Sequence, residues 1–270
     1  MLEIGVGLPA VVPGASADLL LRWARDADAG PFTTLGVHDR LAWDGFECLG
    51  VLNAAAAVTE RIQLASLVLI APLRPVELIA RQAAAIQDLS GGRLTLGVGI
   101  GPRQDDYRAA GADFGTRGRR LEEQLHELRG YWDTGLARPR LLVGGGGDAA
   151  LARMARHADG YVHGGGPARA FKGAADRALA AWYDTGRPGR PRLVGTGYFA
   201  LGGREEEGRD FLRHYYRFVG PFAERIADGI LTSRAAVEEL AASYAAAGCD
   251  ELVLFPTVAA IEQLHLLAEA

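Results

Sequence analysis

Cysteine is scarce in this chain of 270 residues, which carries only Cys48 and Cys249. Two cysteines so far apart in sequence exclude a disulfide framework, and we expect two reduced thiols in a cytoplasmic protein. Long apolar runs are missing as well. No stretch of about 18 uninterrupted apolar residues occurs, so the sequence predicts no membrane span.

Positive charge is not in excess either. The formal net charge is -4 and no run of five or more Lys or Arg residues is present, so we expect no nucleic-acid partner. The spacings H-E-x-x-H and C-x-x-C, typical of metal sites, and the G-x-S-x-G nucleophile motif are all missing. With no metal site predicted and no obvious protein nucleophile, chemistry carried by an organic cofactor is favoured.

Short apolar runs alternate with longer helical patterns along the whole chain. The predicted strands span residues 3–8, 33–37, 62–70, 94–99, 140–144, 159–163, 192–201 and 251–255. The helical patterns span residues 16–29, 46–59, 75–90, 116–132, 147–157, 167–185, 204–247 (broken near Gly220-Pro221) and 257–269. This order is typical of parallel βαβ units. We predict an α/β protein with a single domain over residues 1–270. Eight units in this length favour a closed (β/α)8 TIM barrel over an open doubly wound sheet, which fits the same alternation.

Glycine clusters follow three of the predicted strands, at residues 97–101, 144–147 and 164–166. In such a barrel this rim carries the active site, and phosphate often binds there on backbone N–H groups and helix N-termini. Glycine permits the close approach and the positive φ angles that such binding needs. Residues 144–147 are the best phosphate candidate because a helix is predicted directly after them; a set of tight turns is the alternative.

Polar residues also reach this rim after the second predicted strand, as His38, Asp39 and Arg40. A proton donor, a carboxylate and a cation together could serve acid–base catalysis, and a salt-bridged loop is the alternative. Residues 103–107 follow the fourth predicted strand, and we expect them to form a solvated polar loop.

Several segments resemble the bacterial-luciferase-like monooxygenase family. The matching stretches are Ala54 to Leu64, Pro72-Leu73-Arg74-Pro75, Asp88 to Gly99 around Ser90-Gly91-Gly92-Arg93, Arg119 to Glu123, Leu142 to Gly145 and Ala158-Asp159-Gly160. They span nearly the whole chain in the family's order. The resemblance implies a luciferase-like (β/α)8 barrel that binds flavin mononucleotide (FMN) or the deazaflavin coenzyme F420 and transfers hydride between cofactor and substrate.

The resemblance also implies which residues bind the cofactor. Its phosphate is expected near Gly145, Gly146 and Gly147, helped by Arg119. Its ring is expected against Ser66, Leu67 and Val68, with a cis peptide bond between Leu67 and Val68. Gly99 is expected to face the ring and to leave room for oxygen or substrate.

These features predict a flavin-dependent oxidoreductase, in the first place a monooxygenase that uses reduced FMN and oxygen on a small organic substrate. Many deazaflavin-dependent members carry Asp-His where this chain has Asp39-Arg40, which favours FMN. A separate flavin reductase and a second copy of the chain, in a homodimer, are the partners that the family suggests. The alternatives are an F420-dependent dehydrogenase or reductase, and a flavin-binding protein without turnover.

Overall fold

Eight parallel strands close into a barrel in the computed structural model, which describes residues 2–270. Each strand pairs with the next along the chain, and the last pairs with the first. The strands are β1 (Glu3–Gly7), β2 (Thr34–Val37), β3 (Gln63–Ile70), β4 (Leu94–Gly99), β5 (Arg140–Gly144), β6 (Gly160–His163), β7 (Arg192–Phe199) and β8 (Glu251–Pro256). The predicted (β/α)8 barrel is confirmed.

Helices connect the strands and surround the barrel. They are α1 (Ala17–Ala29), α2 (Cys48–Val58), α3 (Val76–Leu89), α4 (Gln104–Ala109), α5 (Arg117–Asp133), α6 (Asp148–His157), α7 (Ala168–Asp184), α8 (Glu205–Tyr215), α9 (Phe222–Asp228), α10 (Arg234–Ala246) and α11 (Ile261–Ala268). Short 3-10 turns lie at Ala71–Leu73 and Arg217–Val219. Over residues 2–270, none of these helices is long and apolar enough to cross a membrane.

The helical pattern predicted over residues 204–247 is divided into α8, α9 and α10. Gly220 ends the first part with a φ of 61°, a conformation that suits glycine, and Pro221 caps α9. After α9 the chain returns to the barrel, where the Leu231 N–H donates to the Tyr198 carbonyl at 2.9 Å. The Ala200 N–H donates to the Leu231 carbonyl, also at 2.9 Å. These backbone bonds tie the segment to the end of β7, which a continuous helix would not allow.

Two of the buried apolar clusters form layers on either side of the barrel wall. The larger layer lies between barrel and helices and includes Trp23, Leu49 and Leu125. The smaller layer fills the barrel interior and includes Phe255 of β8. The ring of Phe255 occupies the space beside the Cα of Gly7, where an added Cβ would collide with it. A large aromatic side chain therefore closes the barrel interior just below the rim where the strands end.

Candidate active site

A cavity of about 560 Å³ opens at the rim formed by the carboxyl ends of the strands. This volume is within the range of small-molecule sites. Its lining includes most of the residues that the sequence singles out: His38, Asp39, Arg40, Leu67, Val68, Gly99, Gly145 and Gly146. Gly164 and Gly165 of the third glycine cluster lie there too. The barrel thus brings together residues from strands that are far apart in sequence.

His38 presents a neutral imidazole to the cavity. Its Nδ1 lies 2.8 Å from the Leu67 carbonyl oxygen and therefore carries the proton that it donates. The ring stacks on Phe255 with 3.6 Å between centroids. Burial lowers the pKa of His38 to about 4, and the nearby charge of Arg103 acts in the same direction. At neutral pH the Nε2 atom is a hydrogen-bond acceptor, so His38 can take up a proton or orient a hydroxyl.

Asp39 and Arg40 use their charges in ion pairs within the wall. Asp39 accepts two hydrogen bonds from Arg74, at 2.7 and 2.8 Å, and one from the Ile70 N–H at 2.8 Å. Arg40 donates to Asp106 at 2.8 Å, with both side chains almost fully buried. Burial raises the pKa of the Asp39 carboxyl, and the bonds from Arg74 and Ile70 oppose that rise. Both residues line the cavity, but their hydrogen bonds match the salt-bridged loop that was the alternative to acid–base catalysis. A catalytic role for Asp39 and Arg40 stays a prediction.

The segment after β4 differs from the predicted solvated loop. Residues 104–109 form α4, and Arg103, Asp106 and Tyr107 are buried. Asp106 accepts hydrogen bonds from the N–H groups of Leu41 and Ala42 at 2.9 and 2.7 Å. This carboxylate therefore joins α4 to the loop after β2, a contact between residues more than 60 positions apart.

The middle of β3 supplies an apolar side of the cavity. The peptide bond between Leu67 and Val68 is cis, as the resemblance implied. Gly99 lines the cavity, and a Cβ there would lie 2.7 Å from Cγ2 of Val68, so the glycine makes room for that side chain; room for oxygen or substrate at Gly99 stays a prediction. Ser66 is placed differently from our expectation. It is fully buried, donates to the Gly97 carbonyl at 2.8 Å, and is not part of the cavity lining.

The glycine-lined part of the cavity, at the end of β5, is suited to an anion. Gly145, with a φ of 135°, and Gly146 line it, and Gly147 caps the N-terminus of α6 just outside. Arg117 lines the same cavity, and among the described residues its buried Nε has no hydrogen-bond partner. Arg119 is placed elsewhere: its side chain is 73% exposed and lies 3.8 Å from Glu123. Two other arginines lie here instead: Arg117, at the start of α5, lines the cavity, and Arg177 of α7 donates to the Gly146 carbonyl at 2.8 Å.

Several lining residues were missed by the sequence reasoning, among them Arg103, Tyr198, Tyr215 and Tyr216. Tyr215 ends α8 and Tyr216 follows it, so they reach the cavity only because α8 ends over the rim. No spacing motif marks these residues. The predicted end of β7 was the one available signal, since it placed Tyr198 near the rim.

The cavity as a whole fits a flavin or deazaflavin. Leu67, Val68 and Ile70 offer an apolar surface for a flat ring, and Gly145, Gly146 and Arg117 offer backbone and cationic donors for a phosphate. Metal ligation has no comparable support, since residues 2–270 contain no group of three or more His, Cys, Asp or Glu side chains that could hold an ion.

Comparison with known sequences points to one family. The sequence model of the luciferase-like monooxygenases matches residues 3–260. An uncharacterized protein of Mycobacterium tuberculosis is 37% identical over 157 residues, which covers 50% of this chain and 54% of that protein. The pyrimidine monooxygenase RutA of Cronobacter sakazakii is 32% identical over 175 residues, covering 54% and 51%. The chain spans about half the length of the curated relatives it matches.

Solved structures share the fold at lower sequence identity. An F420-dependent secondary alcohol dehydrogenase in complex with an F420-acetone adduct superimposes with a TM-score of 0.83 at 13% identity, covering 99% of this chain and 97% of that chain. The oxygenating constituent of 3,6-diketocamphane monooxygenase from Pseudomonas putida, in complex with FMN, gives 0.76 at 15% identity, covering 100% and 95%. At these identities the likeness concerns the barrel itself.

Proposed function

This chain belongs to the luciferase-like monooxygenase family, and from that premise we propose that it is a flavin-dependent oxidoreductase with its cofactor in the cavity at the barrel rim. The observation that carries the proposal is the pairing of two features in one cavity. An apolar side at Leu67 and Val68 faces the space, and a glycine-lined end beside Arg117 provides anion donors. This combination matches a flat ring joined to a phosphate.

We assign the first place to FMN and to monooxygenation of a small organic substrate with oxygen. RutA, a relative in sequence, is named a pyrimidine monooxygenase, and the barrel is shared with an FMN complex. The alternative is a dehydrogenase or reductase that uses F420, as in the similar F420-dependent alcohol dehydrogenase. A bound flavin or deazaflavin supplies hydride transfer at its ring.

The chain's own residues position the reactants and handle protons. The aromatic and apolar side chains of the cavity exclude water from the ring. His38 holds an unprotonated Nε2 toward Tyr198, whose hydroxyl lies 3.3 Å away, so these two groups can exchange a proton with a substrate oxygen.

Titration with both cofactors tests the proposal and ranks FMN against F420. We expect the chain to bind one of them at micromolar concentration, measured by quenching of cofactor fluorescence. Arg117→Gln should weaken that binding by about tenfold or more, because a charge-assisted bond to phosphate is lost. Arg119→Gln, on the same helix but exposed, is the matched control and should bind as the wild type does. The proposal is refuted if the chain binds neither cofactor. If only the Arg119 variant loses cofactor affinity, Arg119 rather than Arg117 binds the phosphate.

Partners and location belong to the same proposal. We propose that a separate flavin reductase supplies reduced FMN. We also propose that the chain forms a homodimer, as the family resemblance suggests. The two free, buried cysteines support a cytoplasmic location.

A further inference from the structure

Arg103 is a buried cation in the cavity wall without an acidic partner. Its side chain is only 6% exposed, and it makes no salt bridge with any of residues 2–270. The other two arginines nearby differ in this respect, since Arg40 pairs with Asp106 and Arg74 pairs with Asp39. Each buried carboxylate of the wall, Asp39 and Asp106, is therefore in a salt bridge with another arginine, and no carboxylate of the described residues lies within salt-bridge distance of Arg103.

Its hydrogen bonds are also incomplete. Nη2 donates to the Tyr215 carbonyl at 2.8 Å, whereas Nη1 is buried and finds no acceptor among the described residues. The guanidinium carbon lies 4.0 Å from the centroid of the Tyr215 ring and 4.4 Å from that of Phe218. Aromatic faces stabilise a cation but offer Nη1 no strong acceptor, so a buried donor remains unsatisfied.

Two neutral hydroxyl donors, those of Tyr198 and Tyr216, line the same cavity as this charge. The His38 Nδ1–H donates to Leu67, so Nε2 accepts, and the Tyr198 hydroxyl at 3.3 Å is its donor. The Tyr216 hydroxyl then donates to the Tyr198 oxygen at 2.6 Å. The bond from Tyr198 to His38 is the long member of this chain, so a ligand oxygen can take its place at little cost.

We propose that Arg103, with Tyr198 and Tyr216, binds an anionic oxygen of the substrate, carried on a flat unsaturated body. The charge of Arg103 selects a carboxylate, phenolate or enolate, the hydroxyl of Tyr198 donates to the same oxygen, and the rings of Tyr215 and Tyr216 favour a planar molecule. Phe218 lies over the guanidinium, so an anion can reach this group only if the Phe218 ring, which is 42% exposed, moves aside. Calling this ligand the substrate rests on the proposed function; the anion site itself does not.

Calorimetric titration of the full chain with benzoate and with benzamide, its neutral analogue, tests the site. We expect benzoate to bind about tenfold more tightly than benzamide in the wild type. Arg103→Gln should abolish this preference while leaving benzamide binding within about twofold, and Arg103→Lys should keep part of it because the charge is retained. Arg119→Gln, at an exposed position outside the cavity lining, is the matched control and should keep the preference. Arg117→Gln tests whether the cation assigned to the phosphate gives the preference instead. Near-ultraviolet circular dichroism confirms that each variant is folded.

Equal binding of the two probes by the wild type overturns the proposal, and this comparison needs no variant. It is also overturned if Arg103→Gln keeps the preference, or if only Arg117→Gln loses it. FMN and F420 titrations of the same proteins separate the two proposals. If Arg103→Gln loses cofactor binding, Arg103 serves the cofactor phosphate and the substrate site is refuted. If the wild type binds neither cofactor but prefers benzoate through Arg103, the anion site stands and the proposed function fails.

Discussion

Protonation of His38 should make the stability of this protein depend on pH. The imidazole has a pKa of about 4 in the folded chain and 6.5 in the unfolded chain. Between these values the unfolded chain binds a proton that the folded chain does not, so the free energy of unfolding falls as the pH is lowered. Each pKa unit of difference corresponds to about 1.4 kcal/mol, so the difference between 6.5 and about 4 gives an upper limit of about 3.5 kcal/mol for complete acidification. Water in the open cavity reduces this figure.

His38→Asn removes the titrating ring and keeps an N–H group that can reach the Leu67 carbonyl. We expect the urea unfolding free energy of the wild type to fall more steeply than that of the variant from about pH 7.5 to about pH 4.5, so that the two profiles converge at acid pH. The difference between the two proteins cancels the contribution of His163, whose pKa burial also lowers. His126→Asn, at an exposed position on α5, is the control for removal of a histidine. Parallel profiles for wild type and His38→Asn would show that His38 is not held neutral by burial.

Two further substitutions test the wall of the site. Asp39→Asn should lower the free energy of unfolding by about 2 to 3 kcal/mol, because Arg74 loses its fully buried partner and keeps only the half-exposed Glu47. If urea unfolding shows that the free energy of unfolding falls by less than about 1 kcal/mol, Asp39 does not have the structural role described above. Gly97→Ala should cost about 2 kcal/mol or more, since the new Cβ collides with the backbone oxygen of Ser66. Gly130→Ala, where the space is open, is its control, and equal melting temperatures for the two variants would contradict the packing argument.

The barrel could be predicted because its signals are local. Each strand is a short apolar run, each helix has its own periodicity, and eight repeats in 270 residues favour closure. The break near Gly220-Pro221 was also predicted and is confirmed. The second break, between α9 and α10, could not be predicted, because Leu231 is held by backbone bonds to the end of β7 rather than by any property of its own segment.

The candidate site was predicted in part, for a related reason. Gly145 and Gly146 could be placed at the rim because a strand precedes them and a helix follows. Asp39 drew attention as a polar residue at a strand end, yet its partner Arg74 lies 35 positions away and decides that its charge is paired. Arg119 was chosen from the resemblance, whereas the rotation of α5 about its axis turns Arg117 to the cavity.

The sequence by itself determined the order of strands and helices, the glycine-rich strand ends and the family, because these depend on neighbouring residues and on motif spacing. Tertiary structure alone decided which charges are paired. Arg103 and Asp106 belong to one short polar segment. The tertiary structure nevertheless places Asp106 against Arg40 and leaves Arg103 among aromatic rings. Burial converts such differences in partner into differences in free energy, so the chemistry of this rim depends on contacts that only the closed barrel brings together.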